Sequence, residues 1–159
     1  SADRAMIFQA DAAAAQPTAA PPVATFEGYG PVKIGMTTDE ALAALGGPVE
    51  KDEHHSCTVL EKDSLRVTAD GTGRIVQIIT PKGALTDRGI GDGSTPQQIK
   101  AAYAGPEFSI EDGPVGGQGM DAINVKNASG QMISFMVSDS GTVESPSVGQ
   151  PAGFELCSG

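Results

Sequence analysis

The chain has 159 residues with 20 acidic against 10 basic side chains, a net charge of −10 with both histidines neutral. A surface of that sign repels phosphates rather than neutralising them, which disfavours nucleic acid and anionic membranes as partners. No apolar run reaches the roughly 18 residues that a spanning helix needs, and the length suits one domain with its own core.

Residues 9–24 read QADAAAAQPTAAPPVA, rich in alanine and proline and without the period of a buried face. This composition predicts a flexible leader or tether over residues 1–25 and a single folded domain over 26–159. Membrane attachment is expected only through a lipid anchor outside this chain.

The first folded elements come in quick succession. Residues 32–34 read as a short β-stretch, followed by a glycine turn and by Thr37 or Thr38 as a helix N-cap, with Asp39 and Glu40 in the first turn. Ala41, Leu42 and Leu45 make a brief apolar stripe, and Gly46, Gly47 and Pro48 end the helix. Residues 57–60, 65–69 and 74–80 have the β-branched content of strands, with residues 70–73 as a hairpin turn.

The same order then recurs. Gly93, Thr95, Ile99, Ala102 and Tyr103 each stand 58 residues after Gly35, Thr37, Ala41, Ala44 and Leu45, and strand-like residues follow over 121–126 and 131–137. A helix-then-strands unit at a fixed offset reads as an internal duplication, with repeats of about 26–85 and 86–159.

The paired openings, GMTTDEA at 35–41 and GSTPQQIKAAY at 93–103, resemble the tandem units of the β-lactamase inhibitor protein and BamE-like group of small secreted or periplasmic bacterial proteins. The resemblance runs from about residue 26 to the end. It implies an α+β fold of two tandem helix-plus-antiparallel-strand repeats, forming one extended sheet with helices on one face. The sequence departs from the inhibitor in its aromatics, which in this body are only Phe26, Tyr29, Tyr103, Phe108, Phe135 and Phe154. Inhibitor-type interfaces lean on Trp, Tyr and Arg, so inhibition of a β-lactamase is not expected.

Two cysteines, Cys57 and Cys157, lack the CxxC spacing of a redox or zinc centre. The residues alone leave open two buried thiols or one bridge, and closing a loop of about 100 residues would add roughly 4–5 kcal/mol in an oxidising compartment. The resemblance implies the bridge, because a cysteine after the first helix and a closing Glu155-Leu156-Cys157 recur in such proteins.

Strand alternation separates two faces of the expected sheet. Ile133, Phe135 and Val137 point towards the helices, leaving Met132, Ser134 and Met136 on the outer face. Arg66 and Thr68 are their counterparts on one strand, and Ile75, Gln77 and Ile79, or their neighbours, on another. Methionine among polar groups makes an adaptable contact surface, so the candidate binding face is Arg66, Thr68, Gln77, Met132, Ser134 and Met136.

Reactive chemistry finds less support. His54 and His55 are adjacent, point to opposite sides of an extended chain, and have no third histidine to join them. HExxH and G-x-S-x-G spacings are absent, and the GIGDG at 89–93 places Asp92 where a pyrophosphate would sit. No catalytic residue, metal set or cofactor is expected. The expected function is a non-enzymatic extracytoplasmic binding module, periplasmic, envelope-anchored or secreted, with an unidentified protein as partner. The alternatives are a small metal-dependent hydrolase built on His54 and His55, and a structural envelope component without a discrete ligand.

Overall fold

Short β-branched segments broken by glycine turns dominate the chain, and they set its architecture. The computed structural model describes residues 22–54, 57–114 and 121–149. Three two-residue strands come first, β1 (Ala24–Thr25), β2 (Gly28–Tyr29) and β3 (Val32–Lys33), then helix α1 (Thr38–Leu45). Strands β4 (Glu50–His54), β5 (Cys57–Lys62), β6 (Leu65–Ala69) and β7 (Ile75–Ile79) follow as a meander. Helix α2 (Pro96–Ala102) precedes β8 (Ser109–Pro114), β9 (Asp121–Lys126), β10 (Met132–Met136) and β11 (Ser147–Gly149).

All pairings in the large sheet are antiparallel, and the strand order is β8-β9-β10-β11-β7-β6-β5-β4. The two four-strand runs therefore meet through β11 and β7, where Ser147, Val148 and Gly149 face Ile79, Ile78 and Gln77. At Gly149 φ is +100°, and a Cβ there would collide with the Val76 carbonyl oxygen, so glycine is required at this seam. The three-stranded sheet, order β1-β2-β3, packs behind the seam through β1 and β2.

This architecture corrects the expected α+β fold of two tandem helix-plus-strand repeats in one sheet. The described residues are β-rich, with sheets of eight and three strands and helices of only eight and seven residues. The helices begin well and stop early. Thr37 Oγ1 accepts from Glu40 N at 3.1 Å while Glu40 Oε1 accepts from Thr37 N at 2.9 Å, and Thr95 and Gln98 repeat this reciprocal cap at 3.2 and 2.8 Å. The hydrogen bond from Thr37 N–H also holds the Glu40 carboxyl below its ordinary range. Gly46 caps α1 and Tyr103 caps α2 after about two turns, and only Ala41 in α1 and Ile99 in α2 are fully buried. The second sheet arises from residues that composition assigns partly to the leader: Ala24 is 0% exposed and pairs with Tyr29.

The 58-residue offset marks a local device. Gly35 and Gly93 have φ of +93° and +91°, and each opens a backbone clamp onto a residue just past a glycine turn. Gly35 N donates to Ile75 O and Ile75 N to Met36 O, both at 2.8 Å. Gly93 N to Val143 O and Val143 N to Ser94 O reproduce those distances. Cations from outside the helices complete their C-termini. Lys62 Nζ on β5 donates to Leu45 O and Gly46 O at 2.8 and 2.7 Å, and Arg88 Nη1 donates to Ala102 O at 2.8 Å.

The core lies between the inner face of the large sheet and the helices, with Leu60, Val67, Ile78, Ile99, Val125, Ile133, Phe135 and Val148 all at 0% exposure. Tyr103 closes it at 1%, and burial pushes its phenol up from the ordinary value. Phe26 stacks on Phe108 at 5.7 Å, Tyr103 meets both edge-on, and the Arg88 guanidinium lies over Phe108 at 4.8 Å. These rings are thus spent on the helix side of the molecule.

Replacing Lys62 by methionine keeps the aliphatic stem and removes both bonds to the α1 terminus. Lys62→Met is expected to lower the unfolding free energy by about 1–2 kcal/mol, read by urea denaturation, with faster amide exchange concentrated in α1.

Candidate functional site

Pleating and register settle which side chains share the outer face. Ile123 and Val125 on β9, Ile133 and Phe135 on β10, and Val67 on β6 are buried inwards, so the residues between them face out. One continuous cross-strand row results: Glu61, Arg66, Ile79, Ser147, Ser134, Asn124 and Glu111, each paired with the next. A second row holds Val59, Thr68, Gln77 and Gly149. Met132 pairs with Lys126 and Met136 with Ala122 on the same side.

The structure therefore brings Arg66, Thr68, Gln77, Met132, Ser134 and Met136 onto one face that crosses the seam. Their exposures differ. Arg66 is exposed, Gln77, Met132 and Met136 are half-buried, while Thr68 and Ser134 retain 5% and 6% of their surface. Ile79 is the large apolar residue left open here, at 39%. Ile75 departs from the outward placement. A register shift between Thr68 and Ala69 sets it opposite Ala69, and it is 1% exposed in the core.

Arg66 is already engaged. Its Nη2 and Nε lie 2.8 and 2.9 Å from Glu61 Oε2 across the strand pair. At side-chain exposures of 53% and 44% such a pair contributes little net stability. Its effect is to tie the guanidinium to β5 at the β5–β6 end of the face.

Two polar atoms on this face have no hydrogen-bond partner although they are buried, Asn124 Oδ1 and Ser134 Oγ. They belong to directly opposed residues of β9 and β10. Among the described residues the third such atom, Tyr103 Oη, belongs to the core. Asn124 is absent from the six residues that sequence reading selects. The signal was present: with Ile123 and Val125 inward, Asn124 has to face out.

The remaining candidates are placed as follows. Residues 50–54 form edge strand β4. Charged residues on both faces suit a strand with one side unpaired. His54 ends that strand, and His55 lies outside the described residues, as does Cys157. Cys57, opposite His54 in the register, is 1% exposed and is not a free thiol. Among the described residues no group of three His, Cys, Asp or Glu side chains is arranged to hold a metal ion, and no helix is long and apolar enough to cross a membrane. A cleft of about 270 Å³ between Tyr29, Pro31, Leu45, Leu65 and Pro81 opens beside Lys62, whose ammonium is occupied by the α1 carbonyls.

Because the Arg66–Glu61 pair is exposed, Arg66→Ala is expected to change the unfolding free energy by no more than about 1 kcal/mol, measured by urea denaturation, which leaves the residue available for binding tests without loss of the fold. No family of known proteins, no curated protein and no solved structure matches the chain.

Proposed function

We propose that this protein is a non-enzymatic extracytoplasmic binding module that holds a protein partner on the outer face of its eight-stranded sheet. One observation carries the reading. Residues contributed by both four-strand runs share a single face, with Met132, Met136 and Ile79 among hydroxyl and amide groups. Unbranched thioethers beside polar groups suit a contact surface that adapts to what it meets. The net charge of −10 steers a basic partner towards the molecule and disfavours anionic ones.

Placement outside the cytoplasm rests on the alanine- and proline-rich leader and on Cys57, which is buried and not a free thiol. A Cys57–Cys157 bridge is the pairing this reading requires, and an oxidising compartment is where it would persist.

Cross-linking capture from envelope extracts tests the reading. The full chain is expected to retain a specific protein that Arg66→Glu/Met136→Asp loses and Lys100→Glu, on exposed α2 surface, keeps, with all three proteins folded by circular dichroism. Capture that survives the face variant, or that follows Lys100, contradicts the assignment of this face.

A further inference from the structure

Asn124 and Ser134 are the feature of the outer face that folding alone does not explain. A buried acceptor without a donor destabilises the folded state, whereas leucine or alanine at the same position would not. Here two such atoms sit on directly opposed residues, whose Cβ atoms stand about 4.5–5.5 Å apart in an antiparallel pair. A single group carrying several diverging donors can reach both.

The next position in the row narrows the chemistry. Glu111, opposite Asn124 on β8, is exposed. Row order thus gives a carboxylate, an amide oxygen and a hydroxyl oxygen side by side, in a chain of net charge −10. Along β10 the half-buried Met132 and Met136 flank Ser134 on the same face. Flexible, unbranched side chains can swing aside and then line the stem of an inserted residue.

We propose that Glu111, Asn124 and Ser134 form an anchoring site for an arginine side chain of the protein partner. The guanidinium fork offers five donors in a plane, enough to satisfy Asn124 Oδ1 and Ser134 Oγ while pairing with the Glu111 carboxylate. Its aliphatic stem lies between the two methionines. The site rests on the protein-binding reading of this face and names the residue type that the face recognises. Lys126, two residues from Asn124 on the same side, is the group that would instead select a carboxylate.

The test needs no partner protein. Isotope-labelled full chain is titrated with N-acetyl-arginine amide, N-acetyl-norleucine amide and N-acetyl-glutamate amide, following the Asn124 side-chain amide and the Ser134 backbone amide by NMR. The arginine derivative alone is expected to give saturable shifts there, weakened about tenfold or more in Ser134→Ala, Asn124→Leu and Glu111→Gln. Ser134→Ala and Asn124→Leu are also expected to melt above the parent, because each removes an orphaned atom. Glu111→Gln, on an exposed edge strand, keeps the binding arm readable should a β9 or β10 variant misfold. No saturable shift, an equal response to norleucine or glutamate amide, or a lower melting temperature for Ser134→Ala overturns the site. Protein capture on the face without an arginine response overturns the anchor alone. An arginine response without any captured protein supports the anchor and overturns the protein-partner reading.

Discussion

Three residue pairs hold the outer face together. Ile79 with Ser147, Ile78 with Val148 and Gln77 with Gly149 are where the two four-strand runs join, and without them the large sheet becomes two smaller ones with an open edge each. The seam is short and its chemistry is restrictive. Gly149 must stay glycine because the Val76 carbonyl occupies the space of a Cβ, while Ile78 and Val148 are 0% exposed and lock the inner side. Thr80 extends the join by donating its hydroxyl to Pro146 O at 2.6 Å. The small sheet of β1 to β3 then seals it from behind, and Ala24 ties that sheet to the connection between the halves through Leu85 O and Asp87 N.

The helices serve this arrangement more than they define it. Each is about two turns long, below the length at which a helix holds itself together in water. Stability has to come from outside, and it does so at both ends. Reciprocal caps at Thr37 and Thr95 fix the starts, glycine clamps onto Ile75 and Val143 fix the preceding loops, and Lys62 and Arg88 satisfy the terminal carbonyls. Among the described residues both helices lie on one side of the large sheet, and the proposed contact surface is the other side.

Much of this was legible in the sequence. The strands at 65–69 and 121–126 keep the bounds expected of them, and of the two threonines that the threonine-acid order offers as a cap, Thr37 takes the position. Alternation also sorts Met132, Ser134 and Met136 from Ile133 and Phe135. Other features depended on tertiary context. Strand β4 has no apolar alternation because it is an edge, and β11 is three residues long and is set by pairing with β10 on one side and β7 on the other. The bulge that turns Ile75 inwards leaves no mark in composition. The helix-plus-strand repeat gave the helices too large a share of the fold because it left out the edge strand at 50–54, the short strand at 147–149 and the three-stranded sheet. Asn124 was recoverable from alternation, but its lack of a hydrogen-bond partner could emerge only when β9 and β10 were paired.

An unpaired donor or acceptor inside a protein is a cost that selection for stability alone tends to remove. Two of them stand opposed to one another on the face proposed for contact. The most direct measurement is amide hydrogen exchange on the complex with the captured partner. The account predicts added protection on β6, β7, β10 and β9 together, spanning the seam. Protection confined to one four-strand run, or appearing on α1 and α2 instead, would contradict it.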